Sequence, residues 1–380
     1  MIRPVQALIL IVTGLLVLGV VAVHSAGLSV SGSGLATFQE LALGKTTMLA
    51  ALAMVGLFAG MMIPIRSFGP PANRWLPITL ISISILLLIL VQLPWIGREV
   101  HGARRWIDIG PIGFQPSEVA KWCLVLFLAW HIVANRDRIG EFWKGFVPAT
   151  GLILLIGGLI GVEDLGTAIV VVLVGMIMLV AGGCKLRHAL MPLPVAAVGI
   201  AAALISSPYR IDRIRAFMDP YADAQGTGYH VLQSMSAISG GGLVGRGLGN
   251  GVQKFGYLPE DTTDFLFSII CEELGIVGCL LVMALYMALM LVGLKILNNT
   301  VNAFERLLVF GVLVTISIQA LVNLAVVTGL APTKGIALPL LSSGGTGWLL
   351  MAFFIGLLGA IDRGNQRLQP DLASGTAIPA

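Results

Sequence analysis

The run GIVGCLLVMALYMALMLVGL, residues 275–294, contains twenty consecutive residues without a charged side chain. A helix of about 20 apolar residues crosses the ~30 Å hydrocarbon core of a bilayer, so this stretch predicts a membrane-spanning helix. Comparable apolar runs recur along the whole chain and predict ten spans in all. We place these spans at residues 5–24, 46–65, 76–96, 114–134, 146–162, 165–183, 188–207, 263–294, 306–329 and 344–362.

The composition agrees with this assignment. Of the 380 residues 57% are hydrophobic and 11% are charged, whereas soluble domains carry about 25% charged residues. The sequence therefore predicts an all-α, polytopic integral membrane protein of about ten transmembrane helices. Residues 1–363 form one predicted transmembrane domain, residues 208–262 form a large polar extracytoplasmic loop within it, and residues 364–380 form a disordered cytoplasmic tail.

The basic residues indicate the orientation of the chain. With a cytoplasmic amino terminus, every short cytoplasmic connection carries Lys or Arg, as the positive-inside rule expects. The first span also permits a cleaved signal peptide, although its apolar run is longer than the ~7–15 residues of a signal h-region. On the opposite face the basic residues cluster in two loops, residues 97–113 and 208–261.

Clustered arginines on the outer face suggest a phosphate or pyrophosphate ligand, because guanidinium groups match pairs of phosphate oxygens. The alternative is that they pair with neighbouring acids or with lipid headgroups. The candidate ligand-binding arginines are Arg104, Arg105, Arg210, Arg213 and Arg215.

Asp264 is the candidate catalytic residue. It stands in FGYLPEDTTDFLFSIICEELG, immediately before a long apolar helix for which Thr262 or Asp261 is the expected N-cap. An acid at this position also has a structural interpretation, since it interacts favourably with the helix dipole. Glu272 and Glu273 lie about two turns deeper, where we expect each to have a structural polar partner.

Three further motifs contain candidate functional groups. Glu118 and Lys121 lie three residues apart on a helix and either hold helices together as an ion pair or take part in chemistry. In GVEDLGTA, Asp164 caps the following helix and Glu163 is solvated, or the two acids bind a cation or orient an arginine. In ALPLLSSGGTGW, the turn around Ser342 lets backbone approach a ligand closely.

Metal and nucleotide sites are not expected. The chain lacks a set of His and carboxylates with metal-ligand spacing. Its glycine-rich run ISGGGLVGRGLGNG lacks the phosphate-loop pattern. The cysteines have no metal or disulfide spacing and are interpreted as small packing residues. They are Cys123, Cys184, Cys271 and Cys279.

Six motifs lie in order along roughly residues 90–362. They are GARRWIDIGPIGFQPSEVAK, EDLGTA, YRIDRIRAFMDPYAD, GTGYHVLQSMSAISGGGLVGRGLG, YLPEDTTDF with EELG, and PTKGIALPLLSSGG. In these motifs and in their order, the chain resembles the SEDS family of bacterial shape, elongation, division and sporulation proteins. The sequences of the PTKG and LPE-x-x-TDF motifs are more similar to the division branch, FtsW, than to the elongation branch, RodA.

The resemblance implies ten transmembrane helices with both termini cytoplasmic. It implies an inverting glycosyltransferase that polymerises lipid II by β-1,4 links at the outer face of the bacterial cytoplasmic membrane and releases undecaprenyl pyrophosphate. Asp264, in the TDF motif, is then the essential residue. Arg104, Glu118, Lys121 and Asp164 match other functionally sensitive positions.

The same resemblance supplies expectations about ligands and partners. Lys334 and Ser342, in the PTKG and LLSSGG motifs, are further candidate substrate-binding residues. No soluble cofactor is required, while a divalent cation, Mg²⁺ or Mn²⁺, is compatible with the acids. The expected partners are a class B penicillin-binding protein and other division or elongation proteins, and not nucleic acid. The chain departs from the family pattern at Glu163, where proline is usual, and at Ser343, where tyrosine is usual.

Two other function classes are compatible with these features. A flippase of the same lipid should have polar groups along its membrane depth, yet the spans at 188–207 and 344–362 have none before their ends. A non-catalytic scaffold would not need Asp264 or the arginine cluster.

Overall fold

The computed structural model of the protein describes residues 3–27, 44–71, 73–100, 102–109, 112–205, 208–253, 258, 262–343 and 345–373. Nearly all regular structure in these ranges is helical. The helices are α1 (Pro4–Gly27), α2 (Lys45–Met62), α3 (Trp75–Leu90), α4 (Pro116–Ala134), α5 (Val147–Gly161), α6 (Leu165–Ala181), α7 (Leu186–Leu190), α8 (Leu193–Ile205), α9 (Pro208–Met218), α10 (Tyr229–Gly240), α11 (Leu266–Asn299), α12 (Ala303–Val327) and α13 (Thr346–Ala373). A 3₁₀ turn spans Ile65–Phe68 and a π-helical turn spans Phe142–Phe146.

The predicted polytopic membrane architecture is confirmed. Within the described residues, eight helical segments are long and apolar enough to cross a membrane, and α3 and α6 are shorter apolar helices. Together they correspond to the ten predicted spans. Exposed tryptophans mark both ends of the bundle, with Trp75 at the start of α3 and Trp95 beyond its end. Such aromatic residues are typical of the two membrane interfaces.

Two predicted spans have different boundaries in the structure. The helix expected over 76–96 ends at Leu90, because Pro94 lacks the N–H that a continuing helix needs. The span expected over 188–207 divides into α7 and α8 on either side of Met191 and Pro192, where proline again disfavours a continuous helix.

The tail prediction is wrong for residues 364–373, which continue α13 instead of being disordered. Packing explains the first of these extra residues. Asn365 is buried, and its Nδ2 donates to Thr300 Oγ1 at 3.1 Å, so the end of α13 is held against the connection between α11 and α12. Residues 374–380 lie outside the described part of the chain.

Helices α2 and α13 pack with their backbones in contact. A Cβ added to Gly60 would lie 2.1 Å from the carbonyl oxygen of Phe353, and one added to Gly356 would lie 2.2 Å from that of Leu57. Small residues at a crossing allow this approach in membranes, where close packing rather than the hydrophobic effect holds helices together.

A small antiparallel sheet precedes α4, and the all-α prediction did not include it. Its strands are β1 (Arg98–Val100), β2 (Ala103–Ile109) and β3 (Ile112–Phe114), in the order β1-β2-β3. Gly102, with φ of 75°, lies in the β1–β2 turn, a conformation that glycine adopts readily. The sheet brings the basic pair Arg104 and Arg105 to the end of the helical bundle.

The predicted loop 208–262 contains two helices, α9 and α10. Ser234 joins α10 to the bundle, since its hydroxyl donates to Val327 O at 2.6 Å and lies 2.7 Å from Ser268 Oγ. Both serines are fully buried. Helix α10 therefore covers the start of α11 and the end of α12.

Helix α11 is interrupted at Gly275, whose φ of 65° and ψ of −156° are non-helical. Residues 240–253, which we name the glycine segment, lie against this interruption. Ile276 N donates to Gly242 O at 3.0 Å, and Arg246 N donates to Glu272 O at 3.0 Å. The segment thus supplies hydrogen-bond partners that the helix itself cannot provide at the interruption.

The two deep glutamates of α11 have the structural partners expected of them. Glu272 accepts Val252 N at 2.8 Å and lies 3.7 Å from Arg246 Nη1. Glu273 accepts from Ser25 Oγ at 2.8 and 2.6 Å. These contacts attach the glycine segment and the end of α1 to α11.

The glycine contact between α2 and α13 gives a stability prediction. We expect Gly60→Val to destabilise the protein by about 1–3 kcal/mol or more, because the added side chain overlaps Phe353 backbone that cannot move aside. The matched control is Gly158→Val, since a Cβ at Gly158 meets nothing within 4 Å. Thermal unfolding in detergent compares the two, and equal melting temperatures would contradict the proposed contact.

Candidate functional site

A polar cavity of about 200 Å³ lies where β2, α4, α6 and α12 meet the start of α11. The connection between α12 and α13 closes one side of it. Residues from distant parts of the sequence converge there, and six of them are predicted site residues. These are Arg105, Glu118, Lys121, Asp164, Asp264 and Ser342.

An ion pair between Glu118 and Lys121 forms one wall of the polar cavity. Lys121 is 2% exposed, and its Nζ lies 2.8 Å from both carboxylate oxygens of Glu118. Nζ also donates to Gln319 Oε1 at 2.9 Å, while Gln319 Nε2 donates to Ala337 O at 3.2 Å. The predicted pairing is confirmed, and through Gln319 it joins α4, α12 and the α12–α13 connection.

Asp264 lies on the polar cavity just before α11. A Cβ added to Gly335 would lie 3.1 Å from Asp264 Oδ2, so the carboxyl group lies directly over the Gly335 backbone. Asn323 Nδ2 holds this arrangement together by donating to Asp264 O at 2.8 Å and to Ile336 O at 2.7 Å. The backbone of Asp264 is therefore held beside the α12–α13 connection, with its carboxylate next to Gly335.

The predicted N-cap of α11 is wrong. Phe265 occupies the N-cap position with no side-chain capping hydrogen bond. Thr262 instead uses its carbonyl oxygen to accept Ser343 N at 3.1 Å, which joins the α11 entry to the last turn before α13. Asp261, the other predicted cap, lies outside the described residues.

Asn323 was missed by sequence reasoning. A signal was present, since Gln319 and Asn323 are amides four residues apart on one face of an otherwise apolar helix. Polar side chains at membrane depth are costly and mark sites where they find specific partners.

Asp164 both caps α6 and orients an arginine. Its Oδ1 accepts Thr167 N at 3.0 Å, and its Oδ2 lies 3.4 Å from Arg105 Nη1. The expectation of a merely solvated Glu163 is wrong, because its carboxylate accepts Arg104 N at 2.8 Å and its carbonyl accepts Arg105 Nε at 3.0 Å. The α5–α6 turn is thereby attached to β2.

Lys334 lies over the same turn, with its Cδ 2.9 Å from where a Cβ on Gly166 would be. Its Nζ is buried and has no hydrogen-bond partner among the described residues. Burial lowers the pKa of Lys334 from 10.5 to about 8, Asp164 opposes this shift, and three nearby arginines add to it. With those arginines, Lys334 forms what we call the basic cluster: Arg105, Arg210, Arg213 and Lys334.

The other members of the basic cluster are held by backbone oxygens. Arg213 donates to Thr333 O at 3.1 Å and stacks on Tyr209 with 4.4 Å between guanidinium carbon and ring centre. Arg210 donates to Val162 O at 3.1 Å. Among the described residues, one carboxylate, Asp164, and three arginines shift the pKa of Lys334, so positive charge predominates around its ammonium group.

Two of the five predicted ligand-binding arginines are placed differently. Of the five, Arg105 lines the polar cavity, whereas Arg210 and Arg213 lie outside its lining and belong to the basic cluster. Arg104 Nη2 pairs with Glu99 at 3.2 Å and Arg215 Nη1 pairs with Asp212 at 3.4 Å, and these two belong neither to the lining nor to the basic cluster. For these two the alternative interpretation, pairing with a neighbouring acid, describes the structure.

The turn before α13 is compact and internally hydrogen-bonded. Ser342 Oγ accepts Leu338 N at 3.1 Å, and Ser342 O accepts Trp348 Nε1 at 2.6 Å. Leu340 has φ of 57°, which is uncommon for a residue with a side chain. Ser342 thus shapes this wall of the polar cavity. In the part of the chain that the structure describes, no three His, Cys, Asp or Glu side chains converge as a metal site.

Comparison with known proteins gives a consistent result. Residues 6–367 match the family model FtsW/RodA/SpoVE, described as cell cycle protein. A probable peptidoglycan glycosyltransferase FtsW from Trichlorobacter lovleyi is 38% identical over 94% of this chain and 92% of its own length. Stage V sporulation protein E from Bacillus subtilis is 36% identical over 81% of this chain and 85% of its own length.

Solved structures give the same fold. One is a chain from a peptidoglycan synthase complex described as coordinating polymerization and crosslinking, with a TM-score of 0.73 and 29% identity, covering 94% of this chain and 97% of that one. Another is the rod shape determining protein RodA of Thermus thermophilus, with a TM-score of 0.61 and 25% identity, covering 94% and 96%.

The buried ion pair between Glu118 and Lys121 gives a prediction about stability. Lys121→Met leaves Glu118 as an unpaired buried carboxylate, which should cost about 3–5 kcal/mol of stability. Adding Glu118→Gln should restore much of that loss. The matched control is Lys144→Met, which breaks an exposed pair of the same spacing with Glu141 at 3.6 Å and should change stability by at most about 1 kcal/mol.

Thermal unfolding of the four proteins in detergent measures these differences. A double variant no more stable than Lys121→Met would contradict the explanation that the unpaired Glu118 carboxylate causes the loss of stability.

Proposed function

The chain belongs to the FtsW/RodA/SpoVE family of cell cycle proteins, and from this membership we propose that it is a peptidoglycan glycosyltransferase that polymerises lipid II. The observation that carries the proposal is the placement of the Asp264 carboxylate on a polar cavity that shares Arg105 with the basic cluster. A carboxylate beside concentrated positive charge is what transfer from a pyrophosphate donor needs.

In the proposed reaction the 4-hydroxyl of the acceptor GlcNAc attacks C1 of the donor MurNAc. The new β-1,4 bond forms as the bond from C1 to the pyrophosphate oxygen breaks, with inversion at C1. Asp264 accepts the hydroxyl proton, and the bonding electrons leave with undecaprenyl pyrophosphate. The basic cluster stabilises the charge on that leaving group.

The basic cluster suits a pyrophosphate for two reasons. The guanidinium groups of Arg105, Arg210 and Arg213 concentrate positive charge around Lys334, and guanidinium groups are well suited to phosphate oxygens. The buried, unpartnered Nζ of Lys334 supplies a further donor whose desolvation cost a phosphate would offset. Arg104 and Arg215 belong neither to the lining of the polar cavity nor to the basic cluster, so they are less suited to this role.

The size of the polar cavity limits what enters it. About 200 Å³ is below the ~300–1,000 Å³ of typical ligand pockets. We propose that only the reacting ends of the two lipid-linked substrates enter, while polyprenyl tails lie in grooves between helices. Glu118, Lys121 and Ser342 then act by holding the cavity walls.

We propose that the protein acts in the bacterial cytoplasmic membrane with this site on the outer face. Support comes from the basic cytoplasmic connections that the positive-inside rule predicts at the opposite end of the bundle. The FtsW and sporulation relatives favour a role in division or septal wall synthesis. The likeness to a peptidoglycan synthase complex favours a class B penicillin-binding protein as partner.

No soluble cofactor enters the proposed reaction. A divalent cation bound to the pyrophosphate of the substrate is compatible with it, and polymerisation under stringent chelation tests for such an ion.

Asp264→Asn is the direct test of the proposed base. We expect glycan-strand formation from lipid II by the purified protein, with its partner transpeptidase present, to fall by about 10²–10⁴-fold because the proton acceptor is lost. Asp212→Asn removes an exposed carboxylate paired only with Arg215 and should retain activity.

Unchanged strand synthesis by a folded Asp264→Asn protein would contradict the assigned role. If the wild-type chain forms no strands even with the partner but moves lipid II between leaflets, a flippase replaces the polymerase. If the protein is inactive in both assays, a role as a non-catalytic scaffold replaces the polymerase.

The basic cluster gives a pH prediction. The ammonium form of Lys334 is present below its pKa of about 8 and is lost as pH rises through that value. Affinity for undecaprenyl pyrophosphate in detergent micelles should therefore weaken above about pH 8, by up to tenfold per pH unit. Lys334→Arg should remove this dependence, since arginine stays protonated, and Lys334→Met should bind weakly at every pH. An unaltered profile in Lys334→Arg would show that another group titrates.

A further inference from the structure

The α5–α6 turn is the part of the fold on which arginines of the basic cluster converge. Val162 O accepts Arg210 Nη2 at 3.1 Å, and Glu163 O accepts Arg105 Nε at 3.0 Å. Asp164 Oδ2 lies 3.4 Å from Arg105 Nη1. The position of this turn therefore determines where the guanidinium groups of Arg105 and Arg210 lie.

Arg105 reaches the α5–α6 turn from another element. Its backbone belongs to β2, whereas its guanidinium group contacts the backbone and a carboxylate of the turn. The Arg105 side chain is 34% exposed, so packing restrains it only in part. Because a long side chain has many rotamers, its guanidinium group stays in one place only while the strand and the turn keep a fixed separation.

The side chain of Glu163 fixes that separation. Its Oε2 accepts Arg104 N at 2.8 Å, which ties the turn to the residue of β2 that precedes Arg105. In the described sheet, β3 pairs with residues 107–109 of β2, and β1 lies on the opposite side of β2. The carboxylate thus takes the place of a strand partner at Arg104 N, because a backbone donor that is shielded from water needs an acceptor.

The contacts between β2 and the turn form a closed ring. Two adjacent residues of the strand, Arg104 and Arg105, meet two adjacent residues of the turn, Glu163 and Asp164, through contacts of 2.8, 3.0 and 3.4 Å. The first contact joins the turn to strand backbone, whereas the other two end on the flexible side chain of Arg105. Contacts that hold a ligand-binding side chain in place contribute to affinity, because they lower the cost of ordering it on binding.

We propose that Glu163 is a positioning residue of the candidate site, which places the Arg105 guanidinium group for a phosphate or pyrophosphate ligand. The inference rests on the proposed function, in which the basic cluster binds the pyrophosphate of the substrate. It explains why a carboxylate, which repels phosphate by its charge, lies beside that cluster.

Charge and position have opposite effects at this residue, and conservative variants separate them. Glu163→Gln removes the charge and keeps an oxygen that accepts Arg104 N. Glu163→Asp keeps the charge but is one methylene shorter, so the 2.8 Å contact with Arg104 N is lost. If Glu163 acted by its charge alone, Glu163→Gln would bind an anion more tightly and Glu163→Asp would leave binding unchanged.

The measurement is the dissociation constant of undecaprenyl pyrophosphate for the purified full-length chain in detergent micelles. We expect Glu163→Asp and Glu163→Ala to weaken binding by about two- to tenfold, the range that one hydrogen bond supplies. Glu163→Gln should bind at least as tightly as wild type. Glu99→Ala is the matched control, since Glu99 contacts the guanidinium group of Arg104 at 3.2 Å rather than its backbone, and it should not weaken binding.

Combination with Arg105→Met distinguishes positioning from a general loss of structure. If Glu163 acts through Arg105, Glu163→Asp should weaken binding no further in a chain that already carries Arg105→Met. Additive losses would overturn the inference. A Glu163→Asp protein that binds as tightly as wild type would overturn it as well.

Glycan-strand synthesis from lipid II separates failure of this inference from failure of the proposed function. A wild-type chain that binds undecaprenyl pyrophosphate but makes no strands contradicts the proposed reaction, and the binding data still decide the role of Glu163. A wild-type chain that makes strands while Glu163→Asp binds normally contradicts the positioning role alone. Absence of binding by the wild-type chain would overturn both.

Discussion

The constraint on which this structure depends is that backbone N–H and C=O groups in a bilayer have no water to bind. Long helices meet this constraint along most of the described chain, and side chains or neighbouring backbone meet it at the breaks around the candidate site. Asn323 bonds the carbonyls of Asp264 and Ile336, Gln319 bonds Ala337 O, and the glycine segment completes the interruption at Gly275. The irregular backbone that forms the candidate site exists because these partners are provided.

The same lack of water explains why buried basic side chains at the candidate site need partners. Lys121 is stable in the bundle because Glu118 and Gln319 surround it, whereas the buried ammonium of Lys334 has no hydrogen-bond partner within the described part of the chain. A buried ammonium group that lacks a hydrogen bond lowers the stability of the unliganded protein. Retaining it beside Arg105 and Arg213 is consistent with a site that an anionic ligand completes.

The features that the sequence predicted correctly depend on residues that lie close together in the chain. Uncharged runs located the spans, the three-residue spacing located the Glu118–Lys121 pair, and the acid before a helix located the Asp164 cap. The contacts of Glu163, Arg104 and Asn323 depend on residues far away in sequence, and no local pattern contains them. Helix α13 extends beyond its predicted end for the same reason. The role assigned to Asp264 came from family motifs, since its position before a helix also suits a structural acid.

One contact between distant residues has a consequence for biosynthesis. Ser25, near the end of α1, hydrogen-bonds Glu273, which lies 248 positions later. At about 5–20 residues per second, the ribosome needs roughly 12–50 s to make the intervening chain. The first helix therefore enters the membrane long before the carboxylate that it will bind exists. Its final packing is a late event, after α11 has been inserted, and the amino-terminal helix is among the last to reach its native neighbours.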